Sequence, residues 1–280
     1  MTEHWQYPST DPVVSRAYTD ALVAQDHSKA YAADTSFRFS SPRPCARAAG
    51  YGLAGVPATD AFDGPSLVVM GMGTRGHEDV QAAYAEKYPN AEFETKAQLG
   101  DLTSGHVDID NADMDEITEL KFVGAFKFDQ AIGLQRKSYK RGDPKGPSLD
   151  HICQGGFNAR SRGRSNVRIV YFSREAVSVP LSRKVGLTST DRIAAEWVIP
   201  EDVWGPIVDA ALSRLEDIRA TVEQGNLPDR EDWDDKAGKW FEPDPDAPRP
   251  HWRCNGYCEF AHQCRMDGPG VIPIPTRREP

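Results

Sequence analysis

The hydrophobic and polar positions of the chain follow two periodicities. Pro12 to Gln25 and Asp202 to Gln224 carry apolar residues at helical spacing, the second as a long amphipathic segment after Pro200. His77 to Lys87 and Leu149 to Arg160 also predict helices, and an apolar run from Ser66 to Met70 precedes the first of them. Strand character belongs to Phe93 to Leu99, His106 to Asp110 and Glu116 to Val123, which are separated by short polar connections. Val167 to Phe172 is a strand by its β-branched and aromatic content, and Ile193 to Val198 adds another. The succession of helix, three strands, helix and strand predicts an α/β core.

Around that core the chain divides by composition. Residues 1 to 62 form a helical, loop-punctuated N-terminal region, 63 to 200 the core and 201 to 227 the long helix. Residues 228 to 250 are acidic and rich in Pro, Asp and Trp, and read as a linker to a cysteine-bearing tail at 251 to 280. No apolar stretch approaches the roughly 20 residues of a membrane helix. Met1 to Tyr7 lacks a basic segment followed by an apolar run, so the expected location is the cytoplasm, with no membrane partner.

A net charge of −9 excludes a uniformly basic nucleic-acid coat. The charge is uneven, however. Gln135 to Arg168 holds nine Lys or Arg residues (Arg136, Lys137, Lys140, Arg141, Lys145, Arg160, Arg162, Arg164, Arg168) against Asp143 and Asp150. That stretch is either a track for a nucleic-acid backbone or a solvated loop.

The segment richest in chemistry runs from Gly105 to Val123. In a strand, residues two apart share a face, so Glu119 and Lys121 project together while Leu120 and Phe122 face the other way. Burying that pair is costly unless each finds a partner or an ion. Asp108, on the preceding strand, reaches the same place if the two strands pair. Two facing carboxylates repel, and a divalent cation such as Mg²⁺, which prefers oxygen ligands and keeps several waters, relieves the repulsion. Lys121 is then placed to orient a water or offset charge on a phosphate. About one Glu-x-Lys triplet is expected by chance in a chain of this length, and there are two. The other, Glu94-Thr-Lys96, has Asp79 as its nearest upstream aspartate, at the start of a predicted helix, and is set aside.

Several motifs occur in order: Gly73-Thr-Arg-Gly-His77 opening a helix, Gly105-x-x-Asp108, Glu119-x-Lys121, and Pro147-x3-His151-x2-Gln154. In this the chain resembles the RecB-like branch of the PD-(D/E)XK nucleases, which includes CRISPR-associated and phage-encoded exonucleases, over about Cys45 to Cys264. The resemblance implies a restriction-endonuclease-like core with a central mixed sheet flanked by helices. It further implies His77, Asp108 and Glu119 as ligands of Mg²⁺ or Mn²⁺, Lys121 as the catalytic lysine and Gln154 as a supporting residue. The family often has an aromatic residue four positions after the glutamine, where this chain has Asn158 next to Phe157. The implied activity is metal-dependent exonucleolytic hydrolysis of DNA, on single strands or free ends, in recombination, repair or CRISPR-like adaptation. Proteins of those pathways, or a second copy of this chain, are the implied partners. A non-catalytic DNA-binding module is the alternative.

Cys45, Cys153, Cys254, Cys258 and Cys264 are too few and too lopsided for a disulfide scaffold. Cys254-x3-Cys258-x5-Cys264 offers three thiolates. His262 as the fourth ligand gives a zinc site, whereas Cys45 gives the four thiolates usual for a 4Fe-4S cluster. The resemblance implies the cluster, with one cysteine ahead of the core and three near the C-terminus, although its first spacing is often one residue shorter. A zinc-binding interaction protein remains the other outcome. Four-cysteine ligation would join the two ends of the chain around the core. Cys153 reads as a small core residue. Trp252, Tyr257 and Phe260 would shield a metal site or stack on nucleobases.

Overall fold

The computed structural model describes residues 13–27, 36–58, 64–231, 254 and 258–275. In chain order the elements are α1 (Val13–His27), β1 (Phe37–Arg38), α2 (Ala46–Leu53), α3 (Gly64–Lys87), β2 (Glu92–Leu99), β3 (Thr103–Asn111), β4 (Glu116–Val123) and α4 (Ala125–Ile132). They continue with β5 (Leu134–Gln135), β6 (Lys140–Arg141), α5 (Leu149–Arg162), β7 (Asn166–Ser173), α6 (Val179–Val185), β8 (Ala194–Pro200), α7 (Glu201–Glu223), β9 (Asn226–Leu227), α8 (Ala261–Asp267) and β10 (Ile272–Pro273). Most of the acidic linker, at 232–250, lies outside the described residues, as do Trp252 and Tyr257.

The fold is mixed α/β, with a six-stranded mixed sheet flanked by helices. Along it run β1, β3, β4, β7 and β8, and β2 pairs with β3. β4 and β7 are parallel; β2 and β4 are antiparallel to β3, and β8 to β7. With neighbours on both edges and helices over both faces, β7 is buried at Val167, Ile169, Val170 and Tyr171, which explains its nearly continuous apolar sequence. One face carries α5 and α7: Phe157, Trp204, Val208 and Leu215 pack with Val107, Ile117 and Ile169. The opposite face carries α3, where Val80 and Tyr84 pack with Ile109, Leu120, Val170 and Phe172. Gly76 lets α3 approach closely, because a Cβ there would fall 2.4 Å from the Phe122 ring.

Three expectations need correction. The apolar run at Ser66 to Met70 and the helix from His77 are one continuous helix, so His77 sits in its second half and does not open it. Gly71, Gly73 and Gly76 interrupt the pattern, and Met70 and Met72 remain exposed, which hid the continuity. The N-terminal region is not only helical, since β1 joins the central sheet against β3. Finally, most arginines of the basic stretch are already neutralised. Arg162 and Arg164 converge on the buried Asp110, Arg168 pairs with Glu116 and Glu196, Arg160 with Asp209, and Arg136 with Asp129. The exposed remainder, Lys137, Lys140, Arg141 and Lys145, lies on or beside the small β5–β6 hairpin.

The C-terminal tail docks on α2 and on the end of α7. β10 pairs with β9, and Tyr51, Leu227 and Phe260 form a small separate core. The guanidinium of Arg47 is fully buried there and donates to the carbonyls of Pro228, Gly268 and Gly270. Tyr51 donates to Asp267 at 2.6 Å.

Candidate active site

The site arises where β3 parts from β4. Their ladder covers only Ile109↔Thr118, Asp110↔Ile117 and Asn111↔Glu116. Farther along, β1 takes over the vacated edge of β3 at Thr103 and Ser104. Between these two pairings β3 has a free edge, and the main chain of β4 loses its partner. Asp108 supplies one: its Oδ2 accepts from the Leu120 N–H at 2.7 Å, in a buried setting. The aspartate is thus fixed by the backbone of the strand that also carries Glu119 and Lys121.

Both β2 and β3 change face at this level. Phe93 and Ile109 point toward α3, whereas Ala97 and Val107 join the core on the α5 side. In an unbroken strand each pair would share a face. In β2 the change falls at Glu94, opposite Asp108 in the ladder, whose φ of 49° lies in the left-handed region that non-glycine residues rarely adopt. As a result Glu94, Lys96 and Gln98 of β2 and Ser104, His106 and Asp108 of β3 all line one cleft, walled by Gly73, Thr74, His77 and Gln81 of α3. Gln154 of α5 also reaches it, and its volume is about 1060 Å³.

Four of the nominated residues therefore meet at the fork. His77 Nδ1 lies 3.6 Å from Asp108 Oδ1. Glu119 is fully buried, pairs with the Lys121 ammonium, and accepts from Asn158 Nδ2 at 3.1 Å on its other oxygen. Gln154 lies one turn before Asn158 on α5, on the same side of that helix. The triplet set aside in the sequence also belongs here. Candidate ligand atoms of Glu94, His77 and Asp108 lie within 4.8 Å of one another, the one such group among the described residues. Asp79, used to dismiss Glu94, lies in mid-helix on α3. Gln81 bridges the set, donating to Glu94 at 2.8 Å and to the Asp108 carbonyl at 2.9 Å.

Burial sets the electrostatics of the site. Burial, then the charge of Asp108, pushes Glu119 up to about 7, and burial raises Asp108 to about 6 against the pull of Lys121. Burial alone would lower Lys121, but Glu119 and Asp108 outweigh it and hold the ammonium charged. Burial, then Lys121, lowers His77, leaving a neutral imidazole able to bind a metal. His151, quoted in the motif, stands apart between Lys127 and Tyr171, and burial followed by Lys127 pushes it down to about 2. It is a neutral packing residue rather than a proton carrier.

Sequence reasoning missed Gln81, Glu94 and Asn158 as parts of this arrangement. Asn158 had a signal, since a polar residue one turn from Gln154 on a buried helix face needs a partner.

At the other end of the molecule, burial first raises Cys254, Cys258 and Cys264, with Cys258 reaching about 11. Each of the three also feels the charge of Cys45, so the four thiols are electrostatic neighbours. His262 is exposed on α8. Among the described residues no three of these sulfurs lie within 4.8 Å of one another. A single tetrahedral zinc with Zn–S bonds of about 2.3 Å would hold them about 3.8 Å apart. Cys153 is buried in the main core.

No family model matches the chain, and no curated protein matches it. Among solved structures it is similar to the crystal structure of SSO0001 (16% identity, TM-score 0.47, covering 91% of this chain and 97% of that one). It is also similar to an alkaline exonuclease from Laribacter hongkongensis (13% identity, TM-score 0.44, 73% of this chain and 95% of that one). A phage-related exonuclease from Haemophilus somnus 129PT is a third such structure (10% identity, TM-score 0.44, 68% and 95%). No helix among the described residues is long and apolar enough to cross a membrane.

Proposed function

We propose that the chain is a divalent-cation-dependent DNA exonuclease of the RecB-like PD-(D/E)XK type. The observation that carries this reading is the fork, which brings His77, Glu94 and the buried Asp108 within reach of one ion beside the buried Glu119–Lys121 pair. Carboxylates so placed call for a cation, and oxygen and imidazole donors suit Mg²⁺ or Mn²⁺. His77, Asp108 and Glu94, whose ligand atoms lie within 4.8 Å of one another, would hold it, with Glu119, held by Lys121 and Asn158 just outside that group, as the further carboxylate ligand. When bound, the cation supplies Lewis acidity and makes a water nucleophilic at neutral pH.

The chain's own contribution is positional. The Leu120 N–H fixes Asp108, Asn158 and Lys121 fix Glu119, and Gln81 fixes Glu94. Lys121 keeps its proton, so it orients an attacking water through an acceptor lone pair and offsets charge on the phosphate as the bond to phosphorus forms. Gln154, on the cleft wall, positions the substrate or that water. Hydrolysis of 5′- and 3′-labelled DNA in Mg²⁺ or Mn²⁺ tests the assignment. Equal activity in wild type, Glu119→Ala and Lys121→Ala would sink it.

The cysteine corner fits a 4Fe-4S cluster held by Cys45, Cys254, Cys258 and Cys264. Four thiols are electrostatic neighbours there, no three of their sulfurs lie as close as ligands of a single zinc would, and four thiolates are the usual ligand set of such a cluster. Its proposed role is structural, joining the tail to the segment that follows β1. Anaerobically purified protein should be brown and lose its visible absorption on Cys254→Ala; colourless protein with stoichiometric zinc would refute the cluster.

A further inference from the structure

The second Glu-x-Lys triplet has a use beyond its glutamate. From the fork outward, the cleft floor carries Lys96 beside His106 in the β2–β3 ladder, then Gln98 beside Ser104, with Arg38 of β1 opposite Ser104. Beyond Glu94 and Asp108 the β2–β3 floor has no carboxylate, the remaining one of the cleft, Glu78, lying on the α3 wall next to His77, so the floor passes from an acidic end suited to a cation to a donor-rich end suited to phosphates. Lys96 is exposed and has no ion-pair partner among the described residues. The arginines of the basic stretch at Arg160 to Arg168 are instead committed to Asp110, Glu116, Glu196 and Asp209.

We infer that this floor is a single-strand subsite, in which Lys96 binds the backbone phosphate next to the one at the cation. Side chains two apart on a strand are about 6.6 Å apart, which matches the step between successive phosphates of an extended single strand. The floor from Glu94 to Gln98 spans about 13 Å, against about 34 Å for one turn of duplex. A cleft of about 1060 Å³ takes a few nucleotides of one strand. Gly73 keeps the wall open, because a Cβ there would meet nothing within 4 Å. The inference rests on the nuclease reading for the identity of the polymer.

The test is fluorescence anisotropy with a labelled oligothymidine 12-mer, using full-length protein in a Lys121→Ala background and in EDTA so that nothing is hydrolysed. Lys96→Ala should weaken binding about tenfold and flatten the salt dependence by roughly 0.7 in log–log slope, the loss of one phosphate contact to a single strand. Gly73→Leu, which improves helix propensity while filling the cleft, should also weaken binding without lowering Tm. Both variants should bind Mn²⁺ as the parent does in isothermal titration. Lys137→Ala with Lys140→Ala and Lys145→Ala on the hairpin should change affinity less than twofold. Unchanged affinity in Lys96→Ala, or a larger loss in the hairpin triple variant, would overturn the subsite. Lys96-dependent strand binding by a wild-type protein that hydrolyses nothing in Mn²⁺ would uphold the subsite and refute the nuclease reading.

Discussion

The fork and the cysteine corner solve the same problem in opposite ways. At the fork the donors are held by the protein itself: a strand N–H, an asparagine, a glutamine and an ammonium fix three carboxylates at one place. At the corner the thiols are neighbours, with a backbone hydrogen bond from Phe260 acting on Cys258, and a buried arginine holds the surrounding backbone. The fork resembles a preorganised catalytic site, where misplacement would cost rate. The corner resembles a structural site, whose geometry would be completed by the proposed cluster.

The sharpest break of that contrast is chemical. Lys121→Ala should lower kcat on the order of 10²- to 10³-fold, the range for losing one preorganised charge-stabilising donor, and should lower Tm as well because the buried Glu119 loses its partner. Steady-state kinetics beside thermal denaturation separates the two readouts. Next in size is Arg47→Ala, which strips one buried and two part-buried carbonyls of their donor and should destabilise the tail by about 3 kcal/mol or more. Limited proteolysis should then release the segment after Pro228 while the core resists. Cys254→Ser should loosen the tail less than Arg47→Ala does; the reverse order would mean that the metal, and not the arginine, carries the docking.

A smaller effect reads the fork through pH. Asp108 and Glu119 are raised above their unfolded values, so their protonated forms favour folding. In cation-free protein that contribution is present at pH 4 and is lost as pH rises through about 6 to 7. Mg²⁺ or Mn²⁺ should therefore raise Tm more at pH 8 than at pH 5, and Glu119→Gln should shrink the difference in scanning fluorimetry. The smallest expected effect is Glu94→Gly. Glycine relieves the left-handed backbone by about 1 kcal/mol, so Tm should rise slightly while Mn²⁺ affinity falls. A fall in both would mean that the glutamate is there for stability.

Much of the sheet was legible because its strands obey the period-2 rule, and the pairing of Glu119 with Lys121 followed from that rule alone. The long α7 was equally plain from its amphipathic spacing. What could not be read is where strands stop obeying the rule. Glu94 is set aside in the sequence because its nearest upstream aspartate is the helical Asp79, and nothing local marks its left-handed backbone or the face change that brings it opposite Asp108, an aspartate that follows it in the chain. Gln81 and Asn158 were hidden because their partners come from distant elements. The continuity of α3 was masked by glycines, one of which is required by the approach to Phe122. Charge counting failed over Arg160 to Arg168, since a sequence does not reveal that Asp110 and Glu116 will absorb those charges.

β3 keeps two neighbours on one edge, and that division has a mechanical consequence. β1 holds its end of the edge by two residues only, and Cys45 follows a short loop later. A pull or a release at Cys45 would reach the strand that carries Asp108 along this tether. The amide protons of Phe37 and Phe39, bonded to the carbonyls of Leu102 and Ser104, sit on that tether, and their exchange rates would gauge its tension.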